Sequence, residues 1–97
     1  MDKLWQTIKL LSQQEPKTLE QQAIKLSEEV GEAAEALLSM EKVSGDGYKH
    51  LSTADAKEEY VDVLLVTCAL LQKLDTSDAE LTALVQRKLA KWQAKQS

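Results

Sequence analysis

The sequence predicts an all-α fold, a four-helix bundle-like subunit that assembles into a dimer or tetramer. Only three Gly and one Pro occur among its 97 residues, and because these residues most often interrupt regular structure, we expect long helices and few turns. Apolar residues also recur every three or four positions along four segments, as on amphipathic helices. A single helical domain of this length, residues 1–97, has a marginal core, which favours a homo-oligomer.

Pro16 separates the first two predicted helices. Apolar periodicity predicts a first helix over roughly residues 2–14, which Pro16 ends. Thr18 and Gln21 have the spacing of a capping box, so we expect a second helix from there to about Glu41. The apolar stripe predicted for this helix comprises Leu19, Ala23, Leu26, Val30, Ala33, Leu37 and Met40.

The last two helices follow a loop predicted over residues 42–51, which contains glycines and lacks apolar periodicity. Ser52 or Thr53 begins the third helix, which runs to about Leu74, and Ser77 begins the fourth. The apolar stripe predicted for the fourth helix comprises Leu81, Leu84, Val85, Leu89 and Trp92.

The third helix is apolar on nearly every side over residues 60–71, which read YVDVLLVTCALL. A helix of this composition should be buried on most of its surface. Three other helices from one short chain are too few to cover it. We therefore expect a second subunit to pack on this helix.

Composition and charge exclude several classes of function. The formal net charge of −4 argues against a nucleic-acid duplex as partner, because duplex binding requires a basic surface. The single cysteine, Cys68, allows neither an intrachain disulfide nor a C-x-x-C motif. No apolar run approaches the roughly 20 residues that cross a bilayer, and residues 1–11 do not resemble a signal peptide. We expect a cytoplasmic protein with no membrane partner.

Two groups of carboxylates carry the functional prediction. Asp62 lies inside the apolar segment of the third helix and Glu59 precedes it by one turn, so both occupy one face. A buried carboxylate is unfavourable unless it is paired, protonated or bound to a metal. On the second helix, Glu28, Glu29 and Glu32 lie within an arc of about 100°.

The two groups face each other if the second and third helices pack antiparallel, as the single modest loop between them favours. Five carboxylates so close would repel strongly, and all-oxygen ligands select a hard cation, Mg²⁺ or alternatively Mn²⁺. The competing interpretation is that Glu28, Glu29 and Glu32 form only a solvated helix face. A di-iron site is disfavoured because it needs Glu-x-x-His motifs, and the one histidine, His50, lies in the predicted loop.

Glu28-Glu29-Val30-Gly31-Glu32 and Glu59-Tyr60-Val61-Asp62 resemble the E-E-x-x-E … E-x-x-D signature of the MazG-like, all-α nucleoside triphosphate pyrophosphatases. The resemblance covers roughly residues 18–74, and the size is similar to the short single-domain members carried on bacterial mobile cassettes. It implies Mg²⁺-dependent hydrolysis of a nucleoside triphosphate to the monophosphate and pyrophosphate by a dimer or tetramer, with deoxynucleotide pool cleaning as the expected role.

The resemblance also implies a role for each carboxylate. Glu29, Glu32, Glu59 and Asp62 would be the metal ligands. Glu28 would ligate a further metal or orient the attacking water, and the choice between Glu28 and Glu29 as the catalytic base stays open. A non-catalytic helical module that binds nucleotide or another protein is the alternative function.

Four residues are candidates for binding the substrate. Lys25 shares the carboxylate face of the second helix, and Lys88 and Lys91 on the last helix could also hold phosphates. Ordinary solvated surface charges are the alternative for all three lysines. Trp5 could stack on the base, although packing in the core is the alternative for an aromatic residue on an apolar stripe. The other aromatic candidates are Tyr48, Tyr60 and Trp92.

Overall fold

The computed structural model describes residues 2–41 and 52–96, and these residues form four α-helices and no strand. The helices are α1 (Asp2–Gln13), α2 (Leu19–Glu41), α3 (Thr53–Lys73) and α4 (Asp78–Gln96). The predicted all-α class and the four predicted helices are therefore confirmed. The loop predicted over residues 42–51, with Tyr48 and His50, lies outside the described residues.

Capping side chains begin the helices where the sequence predicts. At the start of α2, the Gln21 N–H donates to Thr18 Oγ1 (3.1 Å) and the Thr18 N–H donates to Gln21 Oε1 (3.0 Å). At the start of α3, the Ser52 N–H donates to Asp55 Oδ2 (2.8 Å) and the Asp55 N–H donates to Ser52 Oγ (3.2 Å). Each reciprocal pair satisfies two backbone donors that a helix start leaves without intrahelical partners.

The end of α3 is closed by a Schellman motif. The Thr76 N–H donates to Leu71 O (3.2 Å), and the Asp75 N–H donates to Gln72 O (3.0 Å). Asp75 has φ 56°, the left-handed conformation that this motif requires at its turning residue. Ser77 then accepts a hydrogen bond from the Glu80 N–H (3.1 Å) and begins α4, as predicted. Only four residues, 74–77, thus connect α3 to α4.

Helices α2 and α3 pack antiparallel along their length. The contacts run in opposite directions along the two helices, from Met40 with Thr53 at one end to Gln22 with Val66 towards the other. Small residues line this interface, and the buried apolar residues of the described chain are all alanines: Ala33, Ala36, Ala56 and Ala69. Small side chains allow the two backbones to approach closely.

The apolar stripe predicted for α2 is wrong in part. Leu19, Ala23, Val30 and Leu37 are exposed, whereas the buried positions also include three polar residues, Gln22, Glu29 and Ser39. Hydrophobic periodicity selects the face with the largest apolar side chains. The face that contacts α3 was instead the one whose small residues permit close packing, and the larger apolar residues remain uncovered in one chain.

Much of α3 is uncovered within one chain, as expected when only three other helices are available to cover it. Val61 is 50% exposed and Leu64 is 58% exposed, although α3 contacts both α1 and α2. The other three helices within residues 2–41 and 52–96 do not surround α3.

Helix α4 departs most from the predicted bundle. None of its residues is buried, and Trp92 is 62% exposed. No Cα atom of α4 lies within 8 Å of a Cα atom of α1, α2 or α3. The apolar stripe predicted for α4 exists, and its residues line an open groove together with Leu71 of α3. None of the described helices combines the length and the apolar character that crossing a membrane requires.

Candidate metal centre

Three carboxylates from two helices converge at the middle of the α2–α3 interface. Glu29 on α2 and Glu59 and Asp62 on α3 each offer an oxygen, and the three oxygens lie within 4.8 Å of one another. Glu29 is buried, with 7% of its surface exposed, Glu59 is half-buried and Asp62 is exposed. The cluster therefore opens towards solvent on the α3 side.

The packing of α2 on α3 explains this convergence. Glu59 and Asp62 are three residues apart, so they share one face of α3. Glu29 lies one turn before the buried Ala33, and Glu59 lies one turn after the buried Ala56. The close approach that these alanines permit brings the carboxylates of both helices into one cluster.

The pKa of Glu59 is raised by burial and by repulsion from the neighbouring carboxylates. Burial raises the pKa of Glu59 above its ordinary value, and the negative charges of Glu32, Asp62 and Glu29 raise the pKa further. Each effect disfavours the ionised carboxylate, one by loss of hydration and the other by like-charge repulsion. A cation at this position would relieve both.

Lys25 is the cationic side chain paired with the cluster. Its Nζ lies 2.8 Å from Glu29 Oε1, and the two residues are one helical turn apart. The hydrogen bond to Glu29 and that residue's negative charge raise the pKa of Lys25, and the charges of Glu28 and Glu32 act in the same direction. The predicted proximity of Lys25 to the carboxylates is therefore present in the structure.

The remaining predicted carboxylates lie at the border of the cluster. Glu32 is exposed one turn beyond Glu29 and is not one of the three clustered residues, although its charge acts on Glu59. Glu28 is exposed beside Glu29 and acts electrostatically on Lys25. The structure thus brings together three of the four predicted metal ligands and places the fourth next to them.

The other predicted substrate-binding residues lie elsewhere. Trp5 contacts the first turn of α4, where its Nε1 donates to Asp78 Oδ1 (3.4 Å). Lys88 borders a groove beside Leu71, near the end of α3, and about 16 Å of helix axis separate that end from Asp62. Lys91 is exposed on α4. Within one chain, α4 has no backbone beside α2 and its lysines are not held against the cluster.

Two further residues on or beside α2 carried no signal in the sequence. Lys17 lines a shallow depression on the outer side of α2 together with Lys25 and Glu28. Gln22 is buried at the α2–α3 interface, where its Nε2 donates to Val66 O (3.5 Å) and its Oε1 has no partner among the described residues. A lysine in a turn and a glutamine in an amphipathic helix both predict a solvated surface, so periodicity alone could not select either one.

The donor set fits a hard divalent cation. All three converging groups are carboxylates, the ligands that Mg²⁺ and Mn²⁺ prefer over nitrogen and sulfur donors. Oxygens bound to one Mg²⁺ are at most about 4.2 Å apart, twice the usual bond length. The 4.8 Å within which the three oxygens lie is close to that limit. Comparison with known protein families, curated proteins and solved structures gave no match for this chain.

Proposed function

We propose that this protein is a Mg²⁺-dependent nucleoside triphosphate pyrophosphohydrolase, which cleaves a (d)NTP to the (d)NMP and pyrophosphate. The observation that carries the proposal is the convergence of Glu29, Glu59 and Asp62 from two helices, with Lys25 beside them. This combination offers sites for a divalent cation and for a polyphosphate on the same side of α2. A role in cleaning the deoxynucleotide pool of the cytoplasm is part of the proposal.

Each group near the cluster has a chemical task in this proposal. Glu29, Glu59 and Asp62 hold the cation, with Glu32 as a fourth ligand. Mg²⁺ held there would supply positive charge to the phosphates and would lower the pKa of a bound water. Glu28 or Glu29 then accepts the proton of the water that attacks the α-phosphorus. Lys25 binds an oxygen of the leaving pyrophosphate.

The resemblance to the MazG-like pyrophosphatases supports the choice of reaction. Both halves of the signature occur in order, and their acidic residues meet in space or lie next to those that meet. A hard-cation site alone is compatible with many phosphoryl-transfer reactions. The position of the cut, between the α- and β-phosphates, comes from the resemblance.

The exposed apolar surface supports a dimer or tetramer as the active form. Val61 and Leu64 on α3 and Trp92 on α4 are at least half exposed, and extensive apolar surfaces of this kind mark protein contacts. In this proposal a second copy covers them. Lys88 and Lys91 then reach the substrate from the neighbouring subunit, because α4 does not lie beside α2 in its own chain.

A nucleotide panel tests the proposed reaction. The purified protein is incubated with each NTP and dNTP with Mg²⁺, and pyrophosphate and orthophosphate are measured separately. We expect release of pyrophosphate and nucleoside monophosphate from at least one nucleotide, and none with chelator. The Asp62→Asn variant is the matched negative control, since it keeps the shape of the side chain and removes its charge.

Other outcomes separate the competing functions. Release of orthophosphate alone would show that a different bond is cut. Absence of turnover by a folded protein that still binds nucleotide would favour a non-catalytic binding module and refute the proposed hydrolysis.

A further inference from the structure

A depression on α2, with an open volume of about 350 Å³, adjoins the carboxylate cluster. The residues that line it are Lys17, Gln21, Ile24, Lys25 and Glu28. Lys25 belongs to both features, because its Nζ also lies 2.8 Å from Glu29 Oε1 in the cluster. Lysine binds phosphate as a point charge. Two lysines beside a candidate cation site therefore suit a ligand that carries several negative charges.

Both lysines of the depression are held in ion pairs that a bound anion can replace. Lys17 Nζ lies 3.2 Å from Glu15 Oε1, and Lys25 Nζ lies 2.8 Å from Glu29 Oε1. The two lysine side chains keep 43% and 39% of their surface exposed, and partly solvated pairs of this kind contribute little to folding. Exchange of either carboxylate for a phosphate oxygen therefore costs little.

The turn that carries Lys17 is fixed in place before α2 begins. Lys73 Nζ of α3 donates to Glu15 O (2.9 Å), and the Lys17 N–H donates to Glu15 Oε1 (3.3 Å). The next residue, Thr18, caps α2 through its reciprocal hydrogen bonds with Gln21. Lys17 thus has a defined position just before the first turn of α2, where the helix dipole also favours an anion.

We propose that Lys17 and Lys25 form an anion subsite for the two terminal phosphates of the substrate, with Lys17 on the γ-phosphate. This inference rests on the proposed function, which brings a polyphosphate to the cluster. The charged residues of the depression run along the chain from Glu28, next to the cluster, through Lys25 to Lys17. This order matches a polyphosphate that shares a cation with carboxylates at one end and carries unshared negative charge at the other.

Binding of inorganic triphosphate tests the subsite without depending on turnover. Calorimetry measures the affinity for the Mg²⁺ complex of triphosphate and, separately, for Mg²⁺ alone. Lys17→Gln removes the proposed contact, and Lys17→Arg retains the positive charge. Glu15→Gln removes the competing carboxylate, whose pKa is lowered by the side-chain hydrogen bond from Lys17, and it keeps an oxygen that can accept from the Lys17 N–H. Lys57→Gln, at an exposed position of α3, is the matched control.

We expect Lys17→Gln to weaken triphosphate binding about ten-fold, the effect of losing one hydrogen bond between charged groups. Lys17→Arg and Lys57→Gln should bind triphosphate as the unmodified protein does. Glu15→Gln should bind it more tightly, because Lys17 is released from its partner. The affinity for Mg²⁺ alone should be the same in all five proteins.

Three results would overturn the subsite: no triphosphate binding by the unmodified protein, unchanged binding by Lys17→Gln, or equal weakening by Lys17→Gln and Glu15→Gln, which would make the ion pair merely structural. Pyrophosphate release with an unchanged KM in Lys17→Gln would refute the subsite and leave the proposed hydrolysis standing. Triphosphate bound through Lys17 by a protein that hydrolyses no nucleotide would support the subsite and refute the hydrolysis.

Discussion

The ammonium of Lys25 lies 2.8 Å from Glu29 Oε1, and Glu29 is the most buried of the three clustered carboxylates. A cation that binds the cluster must share or displace this partner. Lys25 therefore balances part of the negative charge of the cluster, which is the task that we propose for Mg²⁺. Once released from Glu29, the same ammonium is available to a phosphate oxygen.

Replacing Lys25 should separate these two roles. We expect Lys25→Gln to bind Mg²⁺ about two- to five-fold more tightly, the range set by the small contribution of exposed ion pairs, because the competing ammonium is gone. The same variant should lose turnover, since the phosphate contact is lost. Calorimetric titration with Mg²⁺ and the pyrophosphate assay measure the two effects. Lys57→Gln is the control, and equal or weaker Mg²⁺ binding by Lys25→Gln would contradict the competition.

Asp62 is the most exposed of the three clustered carboxylates, so its replacement should disturb the fold least. Replacing a residue that only supports a metal ligand lowers metal affinity or activity by about 10- to 100-fold. Asp62 is proposed as a ligand itself, so we expect Asp62→Asn to lower activity by more than about 100-fold. Glu20→Gln, at an exposed position earlier on α2, should remain active. Pyrophosphate release and the Mg²⁺-dependent rise in melting temperature are the measurements. Full activity in Asp62→Asn would remove this residue from the metal site.

The raised pKa of Glu59 predicts a pH-dependent stability. Burial and the neighbouring charges make the folded chain hold this proton to a higher pH than the unfolded chain does. The contribution of Glu59 to the free energy of unfolding is thus fully present below its ordinary pKa of 4.5, and it is lost as the pH rises through the raised value. Glu59→Gln has no such proton to lose.

Without metal, the melting temperature of Glu59→Gln relative to the unmodified protein should therefore increase between about pH 4 and about pH 7. Saturating Mg²⁺ should reverse this order at neutral pH, because only the unmodified protein retains the ligand. Thermal unfolding at several pH values provides the comparison. If the difference in melting temperature between Glu59→Gln and the unmodified protein does not change with pH, the pKa of Glu59 is not raised by folding.

Gly31 offers a test of the free surface of α2. A methyl group built at this position meets no atom within 4 Å, and the backbone is helical. We expect Gly31→Ala to raise the free energy of unfolding by about 1 kcal/mol, the difference in helix propensity between the two residues. Urea unfolding measures the change. A loss of stability instead would indicate that a second subunit packs closely at this position.

Exposed apolar residues on α3 predict the effect of a charge on assembly. Leu64 is 58% exposed, and we expect Leu64→Lys to shift the protein towards monomer without loss of helix content. Sedimentation velocity over a range of concentrations measures the shift, with Gln6→Lys on the exposed surface of α1 as control. The same sedimentation for all three proteins would place the interface elsewhere or exclude it.

Local signals in the sequence were sufficient to locate the helices. Thr18 with Gln21 and Ser52 with Asp55 fix helix starts through contacts within four residues, and the structure contains both pairs. The spacing of Glu59 and Asp62 likewise places them on one face whatever the packing. Such features depend only on neighbours along the chain and can therefore be predicted.

Features that depend on what lies opposite a helix could not be predicted in the same way. Periodicity selected Val30 and Leu37 as buried, whereas Glu29 and Gln22 occupy the α2–α3 interface. The pattern is the same for an apolar face that contacts its own chain and for one that contacts another subunit. The contact of Trp5 with Asp78 joins residues far apart in sequence and depends on how α4 leaves α3.

Ala33 has no exposed surface, so a larger side chain there can be accommodated only if α2 or α3 moves outward. Such a movement would carry Glu29 away from Glu59 and Asp62, although Ala33 has no functional group of its own. The geometry of the ligands is in this way governed by the volume of a chemically inert residue. Mutational tolerance at Ala33 should follow side-chain size, and Gly or Ser should preserve the site where Val or Leu disrupts it.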